Sequence, residues 1–140
     1  MRYLAIDLGD KRTGLAVGDD RVRLATPLVV LQVGDRVALL KKIGEAIEEH
    51  GPGALVVGLP LNMDDSEGPM AKKARGFARE LEVNFGLPVY LQDERLSSAA
   101  AEDKLRDREL TRGQKKQRRD ALAAAELLMS FLQRQSKPGA

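Results

Sequence analysis

The N-terminus of the chain places a carboxylate where an apolar strand is expected to end. Tyr3–Ile6 form an apolar run, Asp7 follows directly, and Leu15–Val17 resume the apolar pattern after a loop of small and charged residues. This order predicts a buried strand, a tight connection and a second strand. An ionised Asp beside such a strand is costly unless it is paired or holds a cation. Two interpretations stay open: Asp7 caps the turn at Gly9-Asp10, or its carboxylate is aimed at a metal or a phosphate.

The composition limits the chemistry that this carboxylate can serve. The 140 residues include no cysteine and one histidine, which excludes thiol nucleophiles, disulfides, thiolate metal sites and histidine-rich zinc sites. A metal would be held by oxygen ligands, which favours Mg²⁺ or Mn²⁺. With 43% hydrophobic and 31% charged residues and no long apolar run, the chain is expected to be a cytoplasmic globular protein with no membrane partner.

The pattern along the chain predicts an α/β fold. We expect strands near 2–7, 13–18, 22–31, 54–59 and 89–91, and helices near 35–50, 70–85, 97–109 and 114–135. Three meandering strands followed by two right-handed crossovers give a mixed five-stranded sheet of order 3-2-1-4-5, with strand 2 antiparallel and helices on the flanks. Pro27 cannot donate to a strand ladder, which places strand 3 at an edge or at a bulge. One domain is expected over 1–135 and a flexible tail over 136–140.

Acidic residues from three separate segments are expected at one edge of this sheet. Asp7 ends strand 1, where the strand order reverses and where ligands bind in open α/β sheets. The acidic segment Gln92–Arg95 follows strand 5 at the same edge, although it could also be a solvated loop. Asp120 continues the apolar face of the last helix, which we expect to begin upstream of it. The other members of that face are Ala124, Leu127, Leu128 and Phe131. Converging carboxylates repel one another and bind divalent cations, as a two-metal phosphodiesterase requires.

Basic residues lie close to these acidic positions in the sequence. Lys11 and Arg12 follow Asp7, and Arg95 belongs to the second acidic segment. The basic segment, residues 112–119, precedes Asp120 and contains Arg112, Lys115, Lys116, Arg118 and Arg119. A charge run of this kind is usually a solvated helix face, but beside a carboxylate cluster it predicts a track for a phosphate backbone. With no Trp, two Tyr and three Phe in the chain, base stacking is expected to be minor.

Four ordered blocks resemble the YqgF/RuvX family from Arg2 to about Leu132. They are Asp7–Gly9 with Lys11–Gly14, Val57–Asp64, Asp93–Ser97 and Asp120–Ala124. The resemblance implies a ribonuclease-H-like fold in which Asp7, Glu94 and Asp120 are the catalytic carboxylates and metal ligands. It also implies that Asn62 and its neighbours form a loop lining the site. Asp65 stands where the family usually has Gly, which leaves the conformation of this loop open.

The resemblance implies a metal-dependent nuclease that uses Mg²⁺ or Mn²⁺ in a two-metal site. The leading role is 5′-end processing of precursor 16S rRNA in ribosome biogenesis, and the alternative is resolution of Holliday junctions in DNA recombination and repair. The partner is then structured RNA or branched DNA, and a homodimer is one option for the assembly. The expected nucleic-acid contacts are Lys11, Arg12, Asn62, Arg95, Lys115, Lys116, Arg118 and Arg119.

Two rival classes share features with this chain. Asp7-x-Gly9 before a glycine hairpin also resembles the first phosphate loop of actin-like ATPases and sugar kinases, but those proteins close two such domains over ATP and 140 residues supply one. A nucleic-acid-binding module without catalysis would be expected to lack one of the three carboxylates, and all three are present. Because one sheet architecture hosts kinases, nucleases and chaperones, the fold alone does not separate these classes.

Overall fold

Five strands and three α-helices make up the part of the chain that the computed structural model describes, residues 1–96 and 112–135. They are β1 (Arg2–Leu8), β2 (Thr13–Asp19), β3 (Leu24–Leu31), α1 (Arg36–His50), β4 (Ala54–Leu59), α2 (Pro69–Phe85), β5 (Val89–Asp93) and α3 (Arg112–Gln135), with a 3-10 turn over Glu94–Leu96. The predicted helix over 97–109 and the predicted tail over 136–140 lie outside the described residues. None of the described helices is long and apolar enough to cross a membrane.

The strands form one mixed sheet in the order β3-β2-β1-β4-β5, which confirms the predicted order. β1 pairs antiparallel with β2 and parallel with β4, so that Ile6 lies between Leu15 and Val57. β4 and β5 pair in parallel. The carboxyl ends of β1, β4 and β5 therefore meet at one edge, with β1 at the point where the strand order reverses.

The ends of two strands differ from the prediction. β3 begins at Leu24 and not at residue 22, because the chain turns first: the Arg23 amide donates to the Asp19 carbonyl at 2.9 Å and Arg23 has a φ of 56°. β5 continues beyond residue 91 because Gln92 and Asp93 pair with β4. The second difference matters for the site, since Glu94 follows the last paired residue directly.

Pro27 lies in an edge strand that also carries a bulge. β3 is the outermost strand on its side of the sheet, and its register with β2 shifts where Leu15 pairs with Val29 while Ala16 pairs with Pro27. Both predicted outcomes for strand 3, an edge and a bulge, are thus observed together. A proline is tolerated here because an edge strand and a bulge both leave backbone amides outside the ladder.

The helices cover the two faces of the sheet unequally. Alternate residues of β1 enter two core layers, with Leu4 and Ile6 facing α1 and α2, and Tyr3 and Ala5 facing α3. Phe131 of α3 lies between two tyrosine rings, with its centroid 5.3 Å from that of Tyr3 and 5.3 Å from that of Tyr90. These aromatic contacts fix the C-terminal half of α3 against the sheet.

The helix ends follow local signals in the sequence. Asp35 caps α1 by accepting from the Ala38 amide at 2.8 Å, and glycines with a positive φ, Gly51 and Gly86, end α1 and α2. α3 begins at Arg112, so Asp120 lies inside the helix and is not its N-cap, as predicted. The four apolar residues predicted for its face, Ala124, Leu127, Leu128 and Phe131, are buried.

Candidate active site

Asp7 lies near the carboxyl end of β1 and belongs to the sheet face that α3 covers. It pairs with Gly14 of β2 and is partly buried. Strand alternation assigns it to the same face as Tyr3 and Ala5. Its carboxylate accepts a hydrogen bond from Glu94, so Asp7 is engaged with the second acidic segment. Of the two interpretations that the sequence leaves open, this contact favours the carboxylate aimed into a site.

Glu94 is the partner of Asp7 and begins the 3-10 turn after β5. Burial, the hydrogen bond to Asp7 and the negative charges of Asp7 and Asp93 together raise the pKa of Glu94 to about 9, and burial is the largest of these causes. At neutral pH the Glu94 carboxyl therefore keeps its proton and donates it to Asp7. Two carboxyl groups that share one proton are a common response to crowding when no cation balances them.

A pocket of about 240 Å³ opens beside this carboxyl pair. Its other lining residues are Pro60, Leu61, Arg95, Ala123 and Leu127. Asp120 lies in α3 one helical turn before Ala123, but its side chain is outside the described part of the structure. The described side chains contain no group of three acidic or histidine residues that could hold a metal. Asp7 and Glu94 are thus brought together, while Asp120 as a third ligand stays a prediction.

Arg95 braces the pocket wall through hydrogen bonds and ion pairs within the protein. Its Nε donates to Asp93 Oδ1 at 3.0 Å and its Nη2 to Asp93 Oδ2 at 2.7 Å. Nη2 also lies 2.8 Å from Asp65 Oδ1, and Nη1 donates to the Asn62 carbonyl at 3.0 Å. These hydrogen bonds raise the pKa of Arg95 and lower that of Asp93. The sequence predicts Arg95 as a nucleic-acid contact, and the structure shows that its guanidinium also ties β5 to the loop before α2.

The loop after β4 closes on itself around Asn62 and Asp65. The Asp65 amide donates to the Asn62 carbonyl at 2.9 Å, and the Asn62 Nδ2 donates to Ser66 Oγ at 3.0 Å. Asp65 has a φ of 71°, a left-handed conformation that glycine adopts most readily and that Asp tolerates. The loop therefore has the backbone shape that a glycine at this position would favour, and Asp65 adds a carboxylate that pairs with Arg95.

Among the other predicted basic contacts, the structure describes the side chains of Lys11 and Arg12, and neither lines the pocket beside the carboxyl pair. Lys11 lines a second pocket of about 240 Å³ on the other side of the β1–β2 turn, together with Asp35 and Lys73. The buried Nε of Arg12 has no hydrogen-bond partner among the described residues. The predicted contacts Lys115, Lys116, Arg118 and Arg119 belong to α3, but their side chains lie outside the described part of the chain.

Comparison with known proteins assigns the family. Residues 1–134 match the RuvX family model, which is described as "Holliday junction resolvase". The chain belongs to the RuvX family. A relative from Anaeromyxobacter sp. (strain Fw109-5), named "Putative pre-16S rRNA nuclease", is 48% identical over 132 residues, which is 94% of this chain and 96% of the relative. A relative of the same name from Pelotomaculum thermopropionicum is 42% identical over 139 residues, which is 99% of this chain and 90% of the relative.

Two solved structures with a similar fold are junction resolvases. Thermus thermophilus RuvC in complex with a Holliday junction substrate has a TM-score of 0.62 at 19% identity, covering 98% of this chain and 97% of that one. The fowlpox virus resolvase in complex with Holliday junction DNA has a TM-score of 0.62 at 12% identity, covering 98% and 100%. At these identities the likeness shows the fold, and it confirms the ribonuclease-H-like sheet expected from the four sequence blocks.

Two residues shape this site through contacts that the sequence did not predict. Gly58 of β4 lies directly under the Glu94 side chain, and Asp65 pairs with Arg95 across the loop. Gly58 stands inside one of the four family blocks, but nothing in that block shows which side chain it faces. The pairing of Asp65 joins segments that are far apart in the sequence, so a local pattern could not reveal it.

Proposed function

We propose that this RuvX-family chain is a cytoplasmic, metal-dependent nuclease that hydrolyses phosphodiester bonds in the 5′-end processing of precursor 16S rRNA. The observation that carries the proposal is the Asp7–Glu94 pair, which lies beside a pocket at the switch point of a ribonuclease-H-like sheet. The names of relatives that are 42% and 48% identical to the chain support the choice of RNA substrate.

The residues present fit a divalent cation with oxygen ligands. Asp7 and Glu94 share a proton in a partly buried position, and a cation at this place would replace that proton as the balancing charge. Asp7, Glu94 and Asp120 are the residues that would hold Mg²⁺ or Mn²⁺, and two such ions would activate the attacking water and stabilise the leaving oxygen. Oxygen donors with no sulfur and no imidazole are the set that these ions prefer.

The chain itself supplies the shape of the site. Pro60, Leu61 and Leu127 form apolar walls around the carboxyl pair, which lowers the local dielectric and strengthens the attraction between the carboxylates and a cation. Arg95 holds the loop wall against β5 through Asp65 and the Asn62 carbonyl. We assign to Lys11, Arg12 and the basic segment the role of contacting substrate phosphates, which positions the scissile bond over the carboxyl pair.

Resolution of four-way DNA junctions is the second candidate function. It is favoured by the family description, and the two resolvases of similar fold are each in complex with a Holliday junction. The two candidates use the same carboxylates and differ in the substrate that the surface around them accepts. A choice between them therefore needs matched substrates and one enzyme preparation.

The deciding experiment incubates the purified protein with Mg²⁺ or Mn²⁺ and either an RNA containing the 5′ flank of 16S rRNA or a four-way DNA junction. We expect cleavage of the RNA and its loss in the Asp7→Asn variant. Asp10→Asn is the matched control, because Asp10 lies three residues away in an exposed ion pair with Lys73 at 3.7 Å. Cleavage of the junction alone would select the second candidate, and full activity of Asp7→Asn on either substrate would refute the proposed site.

A further inference from the structure

The site contains a contact between two segments that are not neighbours in the sheet. Asp7 belongs to β1 and Glu94 follows β5, with β4 between these two strands. Neighbouring strands lie ~4.8 Å apart, so the backbones of β1 and β5 are separated by about 10 Å. The Glu94 side chain reaches Asp7 by passing over β4. The residue of β4 beneath that path decides whether the contact can form.

That residue is Gly58, whose surface is covered by Glu94. A Cβ atom added to Gly58 would lie 2.7 Å from Glu94 Cγ and 2.8 Å from Glu94 Cδ, and it would also collide with Glu94 Oε1. Non-bonded carbon atoms pack at about 3.5–4.0 Å, so even a methyl group here would force Glu94 to move. Strand alternation assigns position 58 to the face of Val56, which α3 covers and to which Asp7 belongs.

No other property of Gly58 calls for a glycine. Its φ is not in the left-handed region, unlike those of Gly51 and Gly86, so an L residue would fit its backbone conformation. The three atoms nearest to its added Cβ all belong to Glu94, whereas at Gly9 and Gly18 the nearest atoms are backbone carbonyl oxygens. The strand cannot shift away easily, because every residue of β4 is buried and the strand is paired on both sides.

We infer that Gly58 is a positioning residue: the missing side chain at this point of β4 lets the Glu94 carboxyl cross the strand and meet Asp7. The inference deepens the proposed function, on which its metal-binding part rests. Gly58 itself supplies no ligand atom from a side chain, so it acts only through Glu94. A larger residue would leave Asp7 and Glu94 both present but displaced from one another.

The test measures Mn²⁺ binding, turnover and stability in Gly58→Ala. We expect Mn²⁺ affinity, followed by the loss of the free-ion electron paramagnetic resonance signal, to fall by about 10- to 100-fold, the usual effect of disturbing the residues that orient a ligand. The kcat should fall while the KM for the nucleic acid stays at the wild-type value, because the substrate-contacting side chains are unchanged. Gly76→Ala is the control, since an added Cβ there meets no atom within 4 Å.

A second arm tests the contact without metal or substrate. Gly58→Ala should lower the Tm of the wild-type protein, but it should lower the Tm much less in a Glu94→Ala background, where the colliding atoms are gone. If the single variant Gly58→Ala does not fold, recovery of folding in the Gly58→Ala/Glu94→Ala double variant supports the inference, and a double variant that also does not fold overturns it. Equal Tm losses in both backgrounds also overturn it.

The outcomes separate this inference from the proposed function. Wild-type Mn²⁺ binding and kcat in Gly58→Ala would overturn the positioning role and leave the nuclease proposal standing. If Asp7→Asn and Glu94→Ala instead keep full Mn²⁺ binding and cleavage, the proposed site is wrong. In that case, the difference between the Tm losses that Gly58→Ala causes in the wild-type and Glu94→Ala backgrounds still tests whether Gly58 makes room for Glu94.

Discussion

The shared proton of Asp7 and Glu94 should make the metal-free protein less stable as the pH rises through neutrality. The pKa of Glu94 is about 9 in the folded protein, against an ordinary value of 4.5. Between these values the folded chain holds a proton that the unfolded chain has released. A group whose pKa is raised in the folded state contributes its full stability at pH values below its unfolded-state pKa. This contribution is lost as the pH rises toward the folded-state pKa.

The size of the pH effect on stability follows from the number of protons that the folded state holds and the unfolded state has released. One proton that is bound in the folded state and absent in the unfolded state changes the free energy of unfolding by about 1.4 kcal/mol per pH unit. From about pH 5.5 to about pH 7.5 the free energy of unfolding of the metal-free protein should therefore fall by roughly 3 kcal/mol. Asp19, Asp64, Glu67 and Asp93 do not oppose this slope, because their pKa values are lowered and they titrate below this interval.

Urea unfolding at several pH values, with a chelator present, measures this slope. Glu94→Gln should flatten it and should be more stable than the wild type at about pH 7.5, because the amide keeps a donor for Asp7 and has no proton to lose. Glu48→Gln, at an exposed position of α1, should keep the wild-type slope. A flat wild-type profile, or a Glu94→Gln variant that is less stable at every pH, would refute the reasoning.

Three further outcomes are expected. Mn²⁺ binding near pH 7.5 should release close to one proton, because the cation displaces the proton of Glu94. Calorimetry in buffers of different ionisation enthalpy measures this release, and no release would mean that Glu94 keeps its proton. Replacing the four predicted contacts of the basic segment with Ala should weaken the binding of RNA and DNA alike. Each lost phosphate contact should reduce the steepness of log affinity against log salt by roughly 0.7–0.9, whereas unchanged slopes would identify a solvated helix face. ATP at fixed free Mg²⁺ should leave the Tm unchanged, whereas a clear rise would favour a nucleotide-binding module.

The strand order and the core could be predicted because they depend on local patterns. The apolar run of β4 and the apolar faces of the helices are visible in the sequence, and chain handedness then limits how the strands can be arranged. Strand ends were less accurate, since the turn at Arg23 and the pairing of Gln92 depend on neighbouring segments.

The site could be predicted only in part. Asp7 was predicted from the end of the first apolar strand, whereas the choice of Glu94 within Gln92–Arg95 came from the family resemblance. The structure adds that the two side chains meet. The sequence also could not show that Arg95 bonds to Asp65 and to the Asn62 carbonyl, because its partners lie in a loop more than two dozen residues earlier in the chain. Contacts between distant segments depend on the tertiary fold, and no local periodicity reports them.

The aromatic contacts of α3 lie far along the helix from position 120, but they can affect how that position is aligned. Phe131 is held between Tyr3 and Tyr90, and position 120 lies about 16 Å along the helix from it at ~1.5 Å per residue. A tilt of only about 5° around Phe131 would then displace position 120 by about 1.4 Å, whereas metal–ligand distances tolerate only about 0.2 Å. If Asp120 is the third metal ligand that we propose, the aromatic contacts at one end of the helix therefore control the alignment of that ligand at the other end.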